Sequence, residues 1–265
     1  MGELKDAINL AKKAGNQILK IYQGNYRVQE KEDKSFLTEA DLLSEKIILE
    51  GLKKYDYGIL SEETKDNLSR LSQKRIWIVD PLDGTQDFLK KTGDFSIMIG
   101  LVEKGEPVLG VVYKPVGEKL YFAEKGKGAY LKEGKNPAKK LKVSEISELT
   151  NSRFAVSRFH LIESERKFLK ENKIFQVRYV GSIGIKLGMI AEGKIEGYVN
   201  LSKKTFQWDT CAPEIILREA GGEITDFQGR KLLYNRKETR NLKGVVASNG
   251  KIHSQILQSL NHLTN

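Results

Sequence analysis

Trp77-Ile78-Val79-Asp80-Pro81-Leu82-Asp83-Gly84-Thr85-Gln86-Asp87-Phe88 is an apolar, β-type run that ends abruptly in a carboxylate. Pro81 and Gly84 bracket a turn holding a second carboxylate, Asp83, and the Thr85 hydroxyl follows. Strand ends in α/β proteins are where ligands sit. Two carboxylates three residues apart on one turn can converge on a hard cation. A helix starting near Gly84 would turn free backbone N–H groups toward an anion. A cation site beside an anion site points to phosphate chemistry. Taken alone, the carboxylate pair reads more simply as an Asp-Pro turn with an incidental second Asp.

Upstream of this run, Leu4, Ile8, Ala11, Ala14, Ile18 and Tyr22 recur every three or four residues and predict an amphipathic helix, ended by Gly24-Asn25. A charged segment, residues 31–34, follows. Thr38 suits the cap of a second helix with Leu43, Ile47, Ile48 and Leu52 on one face. Asp41 falls in its first turn, where a carboxylate is favoured for the helix's own sake. Residues 58–60 read as a short strand running into Ser61-Glu62-Glu63, which puts Glu62 at a strand end. Residues 64–74 read as a polar loop.

Downstream, residues 95–102, 108–113, 120–123 and 129–131 are β-prone, with turns at 104–106 and at Gly126 and Gly128. They predict an antiparallel meander. A polar break over 132–140 leads to a soft boundary at 145–150, dividing the chain into 1–147 and 148–265. The second part alternates: strands at 154–157, 176–180, 197–201, 223–226 and 245–248, and helices at 163–171, 182–192, 213–220 and 252–260. Pro213 suits a first helical turn and Gly221-Gly222 a helix end. The alternation predicts layered α/β packing.

The 265 residues could form one large domain or two smaller ones. Lys plus Arg is 45 against 35 Asp plus Glu, a formal charge of +10. That excess favours an anionic partner, a phosphorylated metabolite or a nucleic acid, and a solvated lysine-rich surface also explains it. The single Cys211 excludes an internal disulfide and fits a reducing, cytoplasmic setting. The opening residues hold no apolar core segment, so no cleaved leader is expected, and no apolar run approaches membrane-spanning length.

Asp41, Glu62, Asp80 with Asp83, and Asp209 in Trp208-Asp209-Thr210 each lie at a strand end or helix start. Together with Leu37-Thr38-Glu39-Ala40-Asp41, Glu62-Glu63 and Glu219-Ala220-Gly221-Gly222, and in this order, they resemble the inositol monophosphatase superfamily, the lithium-sensitive, magnesium-dependent phosphomonoesterases. The resemblance covers nearly the whole chain. It implies an α/β (α+β) fold, a layered αβαβα sandwich of the inositol monophosphatase/fructose-1,6-bisphosphatase type. It implies two to three Mg²⁺ ions gathered between the halves. Glu62, Asp80 and the Leu82 carbonyl would bind the first; Asp80, Asp83 and Asp209 the second; Glu62 would help hold a third. Thr85 and Asp41 would orient the attacking water, with Glu62 among the catalytic residues. Oxygen ligands suit Mg²⁺, and three scattered His are too few for a zinc cluster.

Within the superfamily, Trp208-Asp209-Thr210-Cys211-Ala212-Pro213-Glu214, Asp87-Phe88, Gly93-Asp94-Phe95-Ser96, Ser157-Arg158-Phe159-His160 and Gly181-Ser182-Ile183-Gly184-Ile185-Lys186 resemble the 3′(2′),5′-bisphosphate nucleotidases. The implied substrate is 3′-phosphoadenosine 5′-phosphate, with its sulfated form second. Asp83, Gly84, Thr85, Gly181, Ser182 and Asp209 would meet sugar or phosphate. His160 and Lys186 would meet the nucleotide or its second phosphate, although each reads nearly as well as a surface side chain. The chain departs from the branch at Gln86, usually Lys, and at Phe36. Val199-Asn200-Leu201-Ser202-Lys203-Lys204 stands in place of the bacterial branch's Tyr-Pro-Arg, and its two lysines could serve the same anion or be plain surface. An inositol or sugar phosphatase is the alternative within the same chemistry. A non-catalytic, RNA- or transcription-associated protein is disfavoured, because a pure binder does not need the full acidic set. Monomer and homodimer both remain open.

Overall fold

Along strand β4 (Arg75–Asp83), Trp77 and Val79 face one apolar layer, while Ile76 and Ile78 face another. A strand with both faces buried belongs in the middle of a stack. The computed structural model, which describes residues 2–24, 26–30 and 36–264, is such a stack. Its first sheet runs β3 (Gly58–Ser61), β4, β5 (Ser96–Glu103), β6 (Glu106–Lys114), β7 (Lys119–Glu124), β8 (Ala129–Glu133), β9 (Lys139–Lys140). In this sheet β3 and β4 pair in parallel, β5 to β8 form the expected meander, and β9 adds a short strand inside the stretch read as a polar break. The β5–β6 turn uses Lys104 and Gly105, both at positive φ (52° and 82°), the geometry that matches the twist of a tight hairpin.

The second sheet has the order β11 (Gln176–Val180), β10 (Arg153–Ser157), β12 (Gly197–Asn200), β14 (Val245–Ser248), β13 (Glu223–Thr225). It is mixed: β11, β10 and β12 are parallel, and β14 and β13 join antiparallel. Strands β1 (Val28–Glu30) and β2 (Phe36–Thr38) form a small separate pair.

Helices α1 (Gly2–Gln23) and α2 (Glu39–Leu52) cover the outer face of the first sheet, over Trp77, Val79, Ile97 and Ile99. Helices α5 (Ile183–Ala191) and α6 (Gln207–Glu219) fill the space between the sheets. Helices α4 (Glu163–Glu171) and α7 (His253–Thr264) close the far side, over Phe154, Val199 and Val246. The layers are therefore αβαβα. The middle core joins side chains from Leu60 to Ala247, so residues from both parts of the chain share it.

Two expectations change. Residues 64–74 are not a plain polar loop: a 3₁₀ turn (Ser69–Ser72) buries Arg70, which donates to Asp66, Asn235 and the Arg236 carbonyl. Helix α6 starts six residues before Pro213, which therefore lies inside it. Its start is set by Asp209, whose Oδ2 accepts the Phe206 N–H at 2.5 Å, a return bond that outweighs the preference of proline for a first turn. Helix α1 ends at Gln23, with the Gly24 N–H on the Ile21 carbonyl; Asn25 and the charged segment 31–34 lie outside the described residues.

Candidate active site

In a regular strand, residues three apart point to opposite faces. Asp80 and Asp83 escape this because the register of β4 against β5 slips between them: Asp80 lies opposite Met98 and Asp83 opposite Ser96. Three steps on one strand match two on the other, and this bulge re-aims the second carboxylate toward the first. The Leu82 N–H donates to Asp80 Oδ1 at 3.0 Å, which holds the turn closed. Gly84 follows at φ +95°, where an added Cβ would lie 2.9 Å from the Asp94 carbonyl oxygen. It caps the short helix α3 (Thr85–Leu89).

The third carboxylate arrives on α6. Gly100 and Gly110, in neighbouring strands, let this helix lie directly on the sheet. A Cβ on Gly110 would sit 2.2 Å from the Ala212 carbonyl oxygen, and one on Gly100 would sit 2.5 Å from Cys211 Sγ. Cys211 is thus a buried packing residue. The close approach brings Asp209 to Asp80 and Asp83, so that one oxygen from each lies within 4.8 Å of the others.

Burial, and then the charges of Glu62, Asp83, Asp209 and Asp41, push the Asp80 carboxyl well above the ordinary carboxylate range. Burial and the Asp83 charge push Asp209 up to about 8. Burial raises Asp83 too, against the opposing pull of Ser182, Lys186 and the α5 amides. Carboxylates that raise one another in this way form a site that favours bound protons or a bound cation. The donors are all oxygen, so the set fits Mg²⁺.

Glu62 lies outside the three-carboxylate group, yet it is the first of the charges acting on Asp80. Its N–H donates to the Val79 carbonyl at 3.3 Å, and the preceding Ser61 donates to the buried Glu45 at 2.5 Å. Asp41, 1 % exposed, accepts the Thr38 N–H and hydroxyl on Oδ2, at 2.8 and 2.5 Å. Thr85 Oγ1 stands 3.3 Å from Asp41 Oδ1 and 3.3 Å from the Leu82 carbonyl. The structure therefore joins Asp41, Leu82 and Thr85 in one contact, although Asp41 and Thr85 are 44 residues apart.

On the far side the outcome is mixed. Ser182 has no exposed surface. Its hydroxyl donates to Asp83, lies 2.9 Å from Ser96 Oγ, and caps α5 by accepting the Ile185 N–H. The Gly184 N–H adds a second bond to Asp83 at 2.9 Å. The α5 N-terminus thus holds the Asp83 carboxylate. Gly181 packs on Asp87, where a Cβ would fall 1.8 Å from Oδ2. Lys186 is not a solvated lysine: it is 2 % exposed, donates to the Gly181 carbonyl at 2.6 Å and lies over the Tyr198 ring. Burial lowers its pKa to about 8 against the pull of Asp83, Asp87 and Asp209. His160 is lowered as well, by desolvation and then by the charges of Lys186 and Lys204.

Some participants escape a reading of the sequence. Ser44 donates to the Pro81 carbonyl at 2.7 Å from the helical turn after Asp41, and that one-turn spacing is the signal that could have found it. Arg158 bridges Asp87, at 2.9 Å, and Asp94, tying α3 to the loop after β10. Nothing local marks that pairing.

Known proteins resemble this chain in sequence and in fold. The family model described as the inositol monophosphatase family matches residues 3–265. A 3′(2′),5′-bisphosphate nucleotidase CysQ from Aggregatibacter actinomycetemcomitans is 37 % identical over 89 % of this chain and 88 % of its own. CysQ from Bacteroides thetaiotaomicron superposes with a TM-score of 0.79 at 33 % identity, covering 94 % of this chain and 97 % of that one. A Thermotoga maritima IMPase superposes with a TM-score of 0.85 at 28 % identity, covering 100 % and 98 %. Among the described residues, no helix is long and apolar enough to cross a membrane.

Proposed function

We propose a reaction and a substrate from one premise: the chain belongs to the inositol monophosphatase family and is a phosphoric monoester hydrolase. The reading is a Mg²⁺-dependent 3′(2′),5′-bisphosphate nucleotidase that cleaves 3′-phosphoadenosine 5′-phosphate to AMP and phosphate. The convergence of Asp80, Asp83 and Asp209 within 4.8 Å carries the metal dependence. These three, with Glu62 and the Leu82 carbonyl, would hold the ions. Bound divalent cations neutralise the phosphate dianion and lower the pKa of a water.

The chain's own groups account for the rest. Thr85 can commit its single hydroxyl proton to Asp41 or to the Leu82 carbonyl. Its oxygen lone pairs are then left to accept from a water, and that bond orients the water for attack. Asp41 is fixed for this by its two bonds from Thr38. Gly84 and Thr85 open a helix whose first backbone N–H groups suit phosphate oxygens. Asp83 and Asp209 would border the ester. No nucleophilic side chain is required.

The choice of substrate is supported by the CysQ relatives and by the charges of Lys186 and Lys204 that act on His160 on the far side. A second phosphate finds its counter-charge there. The higher TM-score with the Thermotoga maritima IMPase keeps inositol phosphate as the second reading.

Phosphate release from a panel of esters, with Mg²⁺ and with chelator, tests both. The bisphosphorylated nucleotide should show the highest kcat/KM, chelator should stop release, and Asp83→Asn should be folded and inactive. A higher kcat/KM for inositol 1-phosphate or fructose 1,6-bisphosphate would overturn the substrate, and undiminished activity in Asp83→Asn would overturn the metal site.

A further inference from the structure

Glu165, in the first turn of α4, is 4 % exposed and has no part in the chemistry above. Its two carboxylate oxygens serve two different loops. Oε2 accepts the N–H of Ile162 at 3.3 Å, and Oε1 accepts the N–H of Leu201 at 2.9 Å. The first bond closes the turn after β10 that carries Arg158 and His160. Ser157 Oγ holds the start of that turn by accepting the His160 N–H at 3.1 Å. The second bond opens the turn after β12 that carries Lys203 and Lys204. Asn200 Oδ1 secures that turn by accepting the Ser202 N–H at 2.9 Å and its hydroxyl at 2.7 Å. Asn200 also donates to the Tyr198 hydroxyl at 3.0 Å, and Lys186 rests on that ring.

Strands β10 and β12 are parallel neighbours, so both turns leave the sheet at the same edge, the edge at which ligands of open α/β sheets bind. A helix start needs only one return bond from its third residue. The second oxygen, reaching 36 residues along the chain, does something more. Charge-assisted bonds to main-chain N–H groups are short-range and directional, so one carboxylate shared between two loops sets the gap between them.

We infer that Glu165 is a positioning residue for specificity: it fixes the His160 turn against the Lys204 turn and thereby selects esters that carry a second anionic group. The inference deepens the bisphosphate reading and rests on it for the identity of the substrate. Glu165→Gln keeps the shape but offers only one acceptor, so one loop is released. Glu165→Ala releases both.

Two measurements on the full-length enzyme decide it. Trypsin cleavage after Lys203 or Lys204, both exposed, should quicken in the variants by about tenfold, the scale of one lost hydrogen bond to a charged group. Cleavage after the exposed Lys125 and Lys127 should not change. KM for 3′-phosphoadenosine 5′-phosphate should rise about tenfold with kcat within roughly twofold, again the scale of one such bond. Adenosine 3′-monophosphate, which lacks the second phosphate, should keep its kcat/KM. Unchanged proteolysis at 203–204 in both variants overturns the clamp, whatever the substrate. Equal losses on the two nucleotides overturn the specificity role. A wild-type enzyme that does not favour the second phosphate overturns the selectivity together with the substrate reading, and proteolysis then judges the clamp alone.

Discussion

Ser182 donates its hydroxyl to the carboxylate of Asp83 across 99 residues of sequence. This bond ties the end of β4 to the start of α5 and aims one carboxylate of the acidic cluster from behind. Groups that hold a ligand from behind usually matter nearly as much as the ligand itself.

Ser182→Ala should therefore lower Mg²⁺ affinity and kcat/KM by roughly 10- to 100-fold, the usual cost of losing such a partner. Its urea midpoint should fall by an amount corresponding to about 1–2 kcal/mol, one buried hydrogen bond. Titration of Mg²⁺ in the assay, beside an unfolding curve, separates the two effects. A variant that is destabilised but binds Mg²⁺ as the wild type does would deny Ser182 its positioning role.

Thr85→Val preserves shape and removes the hydroxyl that meets Asp41. If that hydroxyl orients water, kcat should drop roughly 10²-fold, the low end for a lost proton-handling group, while KM stays near wild type. A change in KM alone would move Thr85 from orienting water to binding substrate.

The acidic cluster gives a pH signature for the metal-free protein. Asp209 has a folded pKa of about 8, against an ordinary carboxyl at 3.8 when unfolded. Between those values the folded state holds a proton that the unfolded chain has released, so stability from this group is full at low pH and is lost as pH rises toward 8. Asp80 is shifted the same way. A cation that binds the ionised cluster reverses the loss. The gain in Tm on adding Mg²⁺ to chelator-treated protein should thus be larger at pH 8 than at pH 5, by several degrees for a few kcal/mol. In Asp209→Asn that pH dependence should shrink. A gain in Tm that is the same at both pH values would contradict a self-repelling carboxylate site.

Gly110→Ala should destabilise the protein by about 1–3 kcal/mol, the cost of overpacking a filled core. The added methyl has no room against the Ala212 carbonyl, so α6 must lift from the sheet. Asp209 would move with it, and Mg²⁺ affinity should fall alongside Tm. A destabilised variant with unchanged Mg²⁺ affinity would show that the helix contact and the site are independent.

Much of this was legible in the chain itself. The meander over β5 to β8 follows from alternating apolar residues and glycine turns, because a period of two is local. Thr38 before Asp41 announces the start of α2 for the same reason. The carboxylates at 80 and 83 were visible as a pair. That they share a face was not, because the bulge that turns Asp83 depends on the partner strand. Pro213 pointed to a helix start six residues too late, because the return bond from Asp209 to Phe206 overrides a statistical preference.

The sequence by itself determined most of the main helices and strands, the layered class and the set of acids to examine, since periodicity, turn residues and motif spacing are properties of short segments. Only the tertiary structure decided how Asp209 is brought to Asp80 and Asp83, that Ser182 faces Asp83 and not open solvent, that Lys186 is buried, and that Glu165 spans two loops. Those relations join residues from 36 to more than 100 positions apart. They depend on how closely helices and sheets approach, and that is set by packing across layers, which no local pattern encodes.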